Sequence, residues 1–270
     1  MNQLQKAIIE KTGHDFGFEY LVAETDTEVI LGSARHGVHA TTSMIDGSYK
    51  VGFQNAKSNF ISELARDFNH QSDKQFKATG ESQLALLFQR ASQLANSLPN
   101  QAENNYEAEL KAAIGLLPAS VKGTEVERMV RQRIGQDAYR RAMLDYWGNA
   151  CAVTGLQMPV VLRASHAKPW AECQADAERL DVYNGFLLTA NLDALFDRFL
   201  ISFDETGQII ISKTINDSKR DLLNIHENMR LRWLSNEHQT YLSFHRSKFE
   251  LQEWDQFQTK IGWIVNKTKF

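Results

Sequence analysis

His166 stands in Ala164-Ser165-His166-Ala167-Lys168-Pro169-Trp170, and eighteen residues later comes Asn184, in Tyr183-Asn184-Gly185-Phe186-Leu187-Leu188. Nine residues after Asn184 lies Asp193, and four further on Asp197, both in the run Asn191-Leu192-Asp193-Ala194-Leu195-Phe196-Asp197. A histidine is neutral over much of the physiological range and can accept a proton. An asparagine carries donor and acceptor atoms, so Asn184 can clamp a loop and fix the imidazole through backbone contacts. Carboxylates four apart share one face of a helix and form a hard oxygen site suited to Mg2+ or Mn2+. A base, a cation and a group that orients the base are what metal-assisted phosphodiester hydrolysis requires. Two structural roles compete: Asn191 as the N-cap of the helix, and Asp197 as the ion-pair partner of Arg198 or Arg163.

These residues need a strand, a loop, a second strand and a helix in that order. Ala150–Val153, Val160–Ser165 and Gly185–Thr189 read as short strands, with a long polar connection over Trp170–Asp181 and a helix from Ala190 or Asn191. Trp170, after Pro169, is expected to pack under the catalytic loop. Upstream, Thr124 and Glu127 have capping-box spacing for a helix, or two broken near Gly135, that runs to Trp147 with Met143, Leu144 and Trp147 on its core face. Downstream, Leu200–Phe203 and Gln208–Ser212 flank a hairpin turn. Met229–Trp233 and Tyr241–Arg246 are expected to pack on this module.

The first half reads as α+β. A helix over Asn2–Lys11 precedes four alternating segments, Phe18–Ala23, Val29–Ser33, His39–Met44 and Tyr49–Phe53, with Asp46-Gly47 as a hairpin turn. Helices follow over Ser58–Asn69, Ser82–Leu98 and Tyr106–Leu117, with Gln101–Asn105 a polar connection. Leu84, Leu87, Phe88, Ala91, Leu94 and Leu98 give the second of these an apolar face that reads as core. The segment Pro118–Gly123 marks a boundary between domains 1–120 and 121–270.

Hydrophobic residues make up 43% and charged residues 23%, enough for a core of ordinary size. No apolar run approaches the roughly 20 residues of a membrane helix, and the N-terminus lacks a secretory signal pattern. The expectation is a soluble, cytoplasmic protein without membrane contact. Cys151 and Cys173 belong to no CxxC pair, which excludes a four-cysteine zinc ribbon and leaves two reduced thiols. The net charge of -3 is unevenly spread: residues 1–110 carry nine Lys/Arg against fourteen Asp/Glu, and residues 122–170 eight against four. The basic stretch surrounds His166, and Arg140, Arg141, Arg163 and Lys168 are the candidate phosphate contacts. His36 and His39 flank Gly37 and read as surface histidines rather than as a metal pair.

Residues 134–203 resemble the HNH endonuclease family with the ββα-metal fold. The matching stretches are Ile134–Arg140, Cys151-Ala152-Val153-Thr154-Gly155, Ser165-His166, Asn184-Gly185-Phe186-Leu187-Leu188 and Leu195-Phe196-Asp197. They are similar to the bacterial subgroup of restriction endonucleases, as is the tail with Tyr241-Leu242 and His245-Arg246. The resemblance implies His166 as general base, Asn184 as the residue that orients the loop, and Asp193 and Asp197 as metal ligands, with Asn191 where relatives of this subgroup place a histidine. Ser165 departs from the Asp or His usual before the base, and no histidine stands at the third motif position. The implied protein is a metal-dependent endonuclease on double-stranded DNA, restriction- or defence-related, and a homodimer if both strands are cut. The N-terminal domain would recognise the target or bind a ligand or protein. The competing readings are a DNA-binding protein whose nuclease has decayed, and an effector nuclease triggered by a ligand.

Overall fold

The computed structural model describes residues 1–68, 74–99, 101–116, 123 and 125–251. They form two compact units, Met1–Asn104 and Asn105–Phe270. Of the expected boundary segment only Gly123 lies among the described residues; Thr124 is outside them.

Unit 1 opens with α1 (Gln3–Asp15), whose N-cap Asn2 and Gln5 form a reciprocal capping box. Five antiparallel strands follow in a simple meander: β1 (Tyr20–Glu24), β2 (Glu28–Gly32), β3 (His39–Ile45), β4 (Ser48–Gln54) and β5 (Phe76–Ala78). Asp46 and Gly47 both have positive φ (50° and 73°) between the paired residues Ile45 and Ser48, the two-residue turn that their types favour. The four expected strands are present; β5, three residues long, carries too little pattern to be seen in the sequence. Helices α2 (Ser58–Asp67) and α3 (Glu81–Ser97) pack together, and α3 also packs on α1 and β5. Every residue of the α3 stripe is buried, as expected. Helix α4 (Gln101–Gly115) includes Gln101–Asn105, which corrects their reading as a connection. His36 is also corrected: it is buried against Phe18, ring centroids 5.2 Å apart, and burial lowers its pKa to about 4.

Unit 2 is built on α5 (Glu125–Tyr146), one helix without a break at Gly135. Gly135 serves packing instead, since a Cβ there would lie 2.4 Å from the ring of Trp170. A two-stranded antiparallel sheet of β6 (Leu162–His166) and β7 (Gly185–Thr189) pairs His166 with Gly185 and Leu162 with Thr189. The connection holds a 3-10 turn at Trp170–Glu172 and α6 (Asp176–Arg179). Helix α7 (Ala190–Phe196) starts as β7 ends and packs on both strands. Ala150–Val153, expected as a strand, is a turn instead. It is tied to β7 by Ala152 N donating to Leu187 O (2.6 Å), and Arg232 N donates to Ala152 O (2.8 Å). The hairpin β8 (Ile201–Phe203) and β9 (Ile209–Ile211), α8 (Asp217–Leu223) and a helix over residues 238–251 complete the unit. The last of these buttresses the module through His245, stacked on Phe196 at 3.8 Å, and through Tyr241 Oη, which donates to Asp181 Oδ2 (3.0 Å). Phe186, Phe196, Phe203 and Trp147 fill the core. Both cysteines are free and buried.

Gly185 is the tightest point of the ββα segment. Its φ is +150°, and a Cβ there would lie 1.9 Å from the carbonyl oxygen of Ser165 and 2.5 Å from Tyr139 Oη. Ser165 cannot withdraw without opening the β6–β7 pair, and Tyr139 Oη is held by its bond to the Asn184 carbonyl. Gly185→Ala is therefore expected to cost about 3 kcal/mol or more. The described tryptophans, Trp147, Trp170 and Trp233, lie in unit 2, so urea unfolding followed by tryptophan fluorescence reads this loss; an unchanged midpoint contradicts the packing.

Candidate active site

Adjacent residues of a strand point to opposite faces, and β6 uses this at its end. His166 turns toward α5, where its ring stacks on Tyr139 with centroids 3.8 Å apart and 21° between planes. Trp170 closes a second side, edge-on at 5.7 Å. Gly135 and Tyr139 are four apart on one helix face, so a single turn of α5 admits Trp170 and supports the imidazole. The ring is half-buried. Its Nε2 lies 2.9 Å from the carbonyl oxygen of Arg179. A carbonyl only accepts, so Nε2 carries the proton and Nδ1 is left with the free lone pair. Nδ1 has no hydrogen-bond partner among the described residues.

The Arg179 carbonyl is held in place by Asn184. This side chain is fully buried. Its Oδ1 accepts from Lys168 N (2.8 Å), and its Nδ2 donates to Glu178 O (3.0 Å) and Lys168 O (3.3 Å). Its backbone oxygen accepts from Tyr139 Oη at 2.9 Å. One amide therefore joins both ends of the 168–178 loop, and the residue after that loop presents its carbonyl to His166. The Arg179 guanidinium adds bonds to Cys173 O (2.6 Å) and Trp170 O (3.2 Å).

Ser165 turns the other way, toward α7. It is buried, and its Oγ donates to Asp193 Oδ1 at 2.5 Å. Asp197, four residues on, lies at the surface; desolvation by its surroundings, then the charge of Asp193, raise its carboxyl above 3.8. No ion pair joins Asp197 to Arg198 or Arg163 among the described residues. Asn191 is not the N-cap of α7; Thr189 holds that position. Asn191 lies about 200° round the helix from Asp193, with Nδ2 donating to Leu223 O (2.6 Å), and is not brought to the Ser165–Asp193 pair.

Among the described residues no group of three or more His, Cys, Asp or Glu side chains could hold a metal ion. The donors on this face are a hydroxyl and two carboxylates. They fit a hard cation that takes one or two carboxylates from protein and the rest of its shell from water and phosphate oxygens, and they do not form a closed protein site.

Three of the four expected phosphate contacts are engaged structurally. Arg140 donates to Leu162 O and Pro159 O, both at 2.7 Å, and fastens α5 to the start of β6. Arg141 pairs with Glu109, and Lys168 with Glu178 at 2.6 Å. Arg163 is exposed, and its hydrogen-bond partners among the described residues are Val160 O and Leu162 O. Trp170, expected under the loop, is part of it and packs its ring against His166 and Gly135. Tyr139 and Arg179 received no role from the sequence. Tyr139 was within reach, four residues from Gly135 on one face; Arg179 acts through its carbonyl, which no residue type encodes.

Residues 151–204 match a family model described as HNH endonuclease. They span β6, β7 and α7, together with His166, Asn184 and the Ser165–Asp193 pair. This segment is an HNH endonuclease domain. No curated protein matches the chain. The domain is of nuclease type, and the substrate of its family is DNA. No helix among the described residues is long and apolar enough to cross a membrane.

Burial lowers the His166 pKa from 6.5 to about 4, partly opposed by the Arg179 hydrogen bond. The unfolded chain binds this proton near 6.5 and the folded chain only near 4. His166 therefore removes stability as pH falls through that window and has no effect above it. In the metal-free protein, the NMR titration of His166 should have its midpoint near 4; a midpoint near 6.5 would show that the ring is not held as described.

Proposed function

We propose that this protein is a metal-dependent DNA endonuclease in which His166 Nδ1 takes the proton of the attacking water. The observation that carries the reading is the Nε2–Arg179 carbonyl bond, which leaves Nδ1 as the acceptor on a ring kept neutral by burial. Tyr139 and Trp170 restrict the ring to one orientation, and Asn184 acts at one remove by holding the loop that carries Arg179. Asp193, oriented by Ser165, and Asp197 would hold a divalent cation of the Mg2+ or Mn2+ type. Such an ion, when bound, stabilises charge on the phosphate and on the leaving oxygen. His166 and the Ser165–Asp193 pair turn to opposite faces at the end of β6, so a phosphodiester laid across that end meets the base on one side and the oxygen donors on the other. Arg163 is the candidate phosphate contact among the four expected ones, since it is exposed and has no carboxylate partner among the described residues.

A restriction or defence role, with unit 1 as a recognition or regulatory domain, is the biological context that suits such a nuclease. The acidic balance of residues 1–110 supports a ligand or protein partner there more than direct contact with DNA.

The test is cleavage of plasmid and phage DNA with Mg2+ or Mn2+, with the cut ends mapped. A positioned general base is worth about 10²–10⁴-fold. His166→Ala should lower the rate by at least about 100-fold while unfolding stays cooperative, and EDTA should abolish cleavage by the wild-type chain. Metal-dependent cleavage that survives His166→Ala removes His166 as the base.

A further inference from the structure

A cavity of about 470 Å3 lies in unit 2, lined by Tyr106, Arg128, Arg131, Trp170, Asp176 and Arg179 among others. Two of these residues also support the base: Trp170 by its ring edge, Arg179 by its carbonyl. Arg128 and Arg131 are three apart on α5 and share one face of it. The lining thus gathers three guanidiniums against one carboxylate of its own.

Each arginine has an acidic neighbour, and the strength of those pairs decides what the cavity can do. Arg128–Glu125 is exposed on both sides, at 70% and 65% of the side-chain surface. Arg131–Glu127 is about half exposed at the arginine and largely covered at the glutamate, and Arg179–Asp176 is largely covered at the arginine and about half exposed at the aspartate. The exposed Arg128–Glu125 pair contributes about 0–1 kcal/mol. A phosphate offers a guanidinium bidentate, charge-assisted hydrogen bonds, and so can displace these carboxylates. Arg140 is tied into main-chain carbonyls, and Lys168 is paired and largely covered; Arg179 also donates to Trp170 O and Cys173 O, so only its Nη1, on Asp176, can exchange its carboxylate for a phosphate, and the grip falls mainly on Arg128 and Arg131.

We propose that this cavity binds a backbone phosphate of the substrate strand flanking the scissile one. The proposal rests on the reading of the HNH domain as a DNA nuclease and adds where the strand is gripped. A phosphate seated on Arg179 lies on the residue whose carbonyl fixes His166, so strand binding and orientation of the base meet in one residue.

The test uses the full chain carrying His166→Ala, so that DNA is bound and not cut. Fluorescence anisotropy with a labelled duplex is measured over a series of KCl concentrations. Adding Arg128→Ala and Arg131→Ala should weaken binding roughly tenfold and lower the slope of log affinity against log salt by about 1. Arg128→Lys with Arg131→Lys should keep most of the slope, because the charge remains. Affinity and slope unchanged in the double alanine variant overturn the cavity assignment while leaving the nuclease reading intact. A parent chain that neither binds nor, with His166 restored, cuts DNA contradicts the nuclease reading itself. Micromolar binding of AMP that the alanine pair abolishes without altering the DNA slope assigns the cavity to a free nucleotide and overturns the strand proposal.

Discussion

The proposed active site depends on the buried amide of Asn184. Its oxygen and nitrogen are spent on the main chain at Lys168 and Glu178, at the two ends of a loop with little regular structure. Each such bond contributes only about 1 kcal/mol net, but a buried main-chain group left without its partner costs about 1–3 kcal/mol. The loop is therefore confined to the path that satisfies the amide. That path ends at Arg179, whose carbonyl then lies within reach of His166. The positioning of His166, the proposed base, is thus a main-chain property, set by one side chain eighteen residues away in sequence.

Electrostatics and packing act together on the two faces of β6. On the α5 side, aromatic surroundings and burial keep the imidazole neutral, and the carbonyl dictates which nitrogen bears its proton. On the α7 side stand oxygen donors: a buried hydroxyl fixes one carboxylate, and a second lies a helical turn away. Gly185 allows the two faces to meet, because its missing Cβ leaves the space filled by the Ser165 carbonyl and Tyr139 Oη. The arginine-lined cavity beside Trp170 extends the same design, since one residue supports the base through its backbone and lines the cavity with its side chain.

Much of this was legible in the sequence, for identifiable reasons. Period-2 and period-3.6 patterns and the Asp46-Gly47 turn give the meander, the α3 core face and the β6–β7–α7 order, because side-chain burial dictates those periods. The spacing from His166 to Asn184 to Asp193 lies within the segment that matches the HNH family, and the residue types are those that the proposed roles require. What was not legible depends on tertiary contacts. Ala150–Val153 looks like a strand from its apolar residues, yet only Ala152 finds a partner on β7, so it folds as a turn. Gly135 suggests a helix break, whereas in the fold it is the space that Trp170 needs. Asn191 has the residue type of a cap, but α7 is capped two residues earlier, at Thr189, and the Asn191 amide reaches Leu223 instead. Arg140 and Lys168 are basic and near the site, but their charges are used within the fold; the arginines of the cavity belong to one cluster only after α5 and α6 come together.

The central claim is that the Arg179 carbonyl holds the proton of His166 on Nε2 and leaves Nδ1 as the base. Two-dimensional 15N–1H NMR of histidine-labelled, metal-free protein at neutral pH distinguishes the two neutral tautomers through the nitrogen shifts and their couplings to the ring carbons' protons. The account predicts that His166 is the Nε2–H tautomer with an unprotonated Nδ1. A His166 ring protonated on Nδ1, or one averaging between the two forms as a solvent-exposed histidine does, would contradict it.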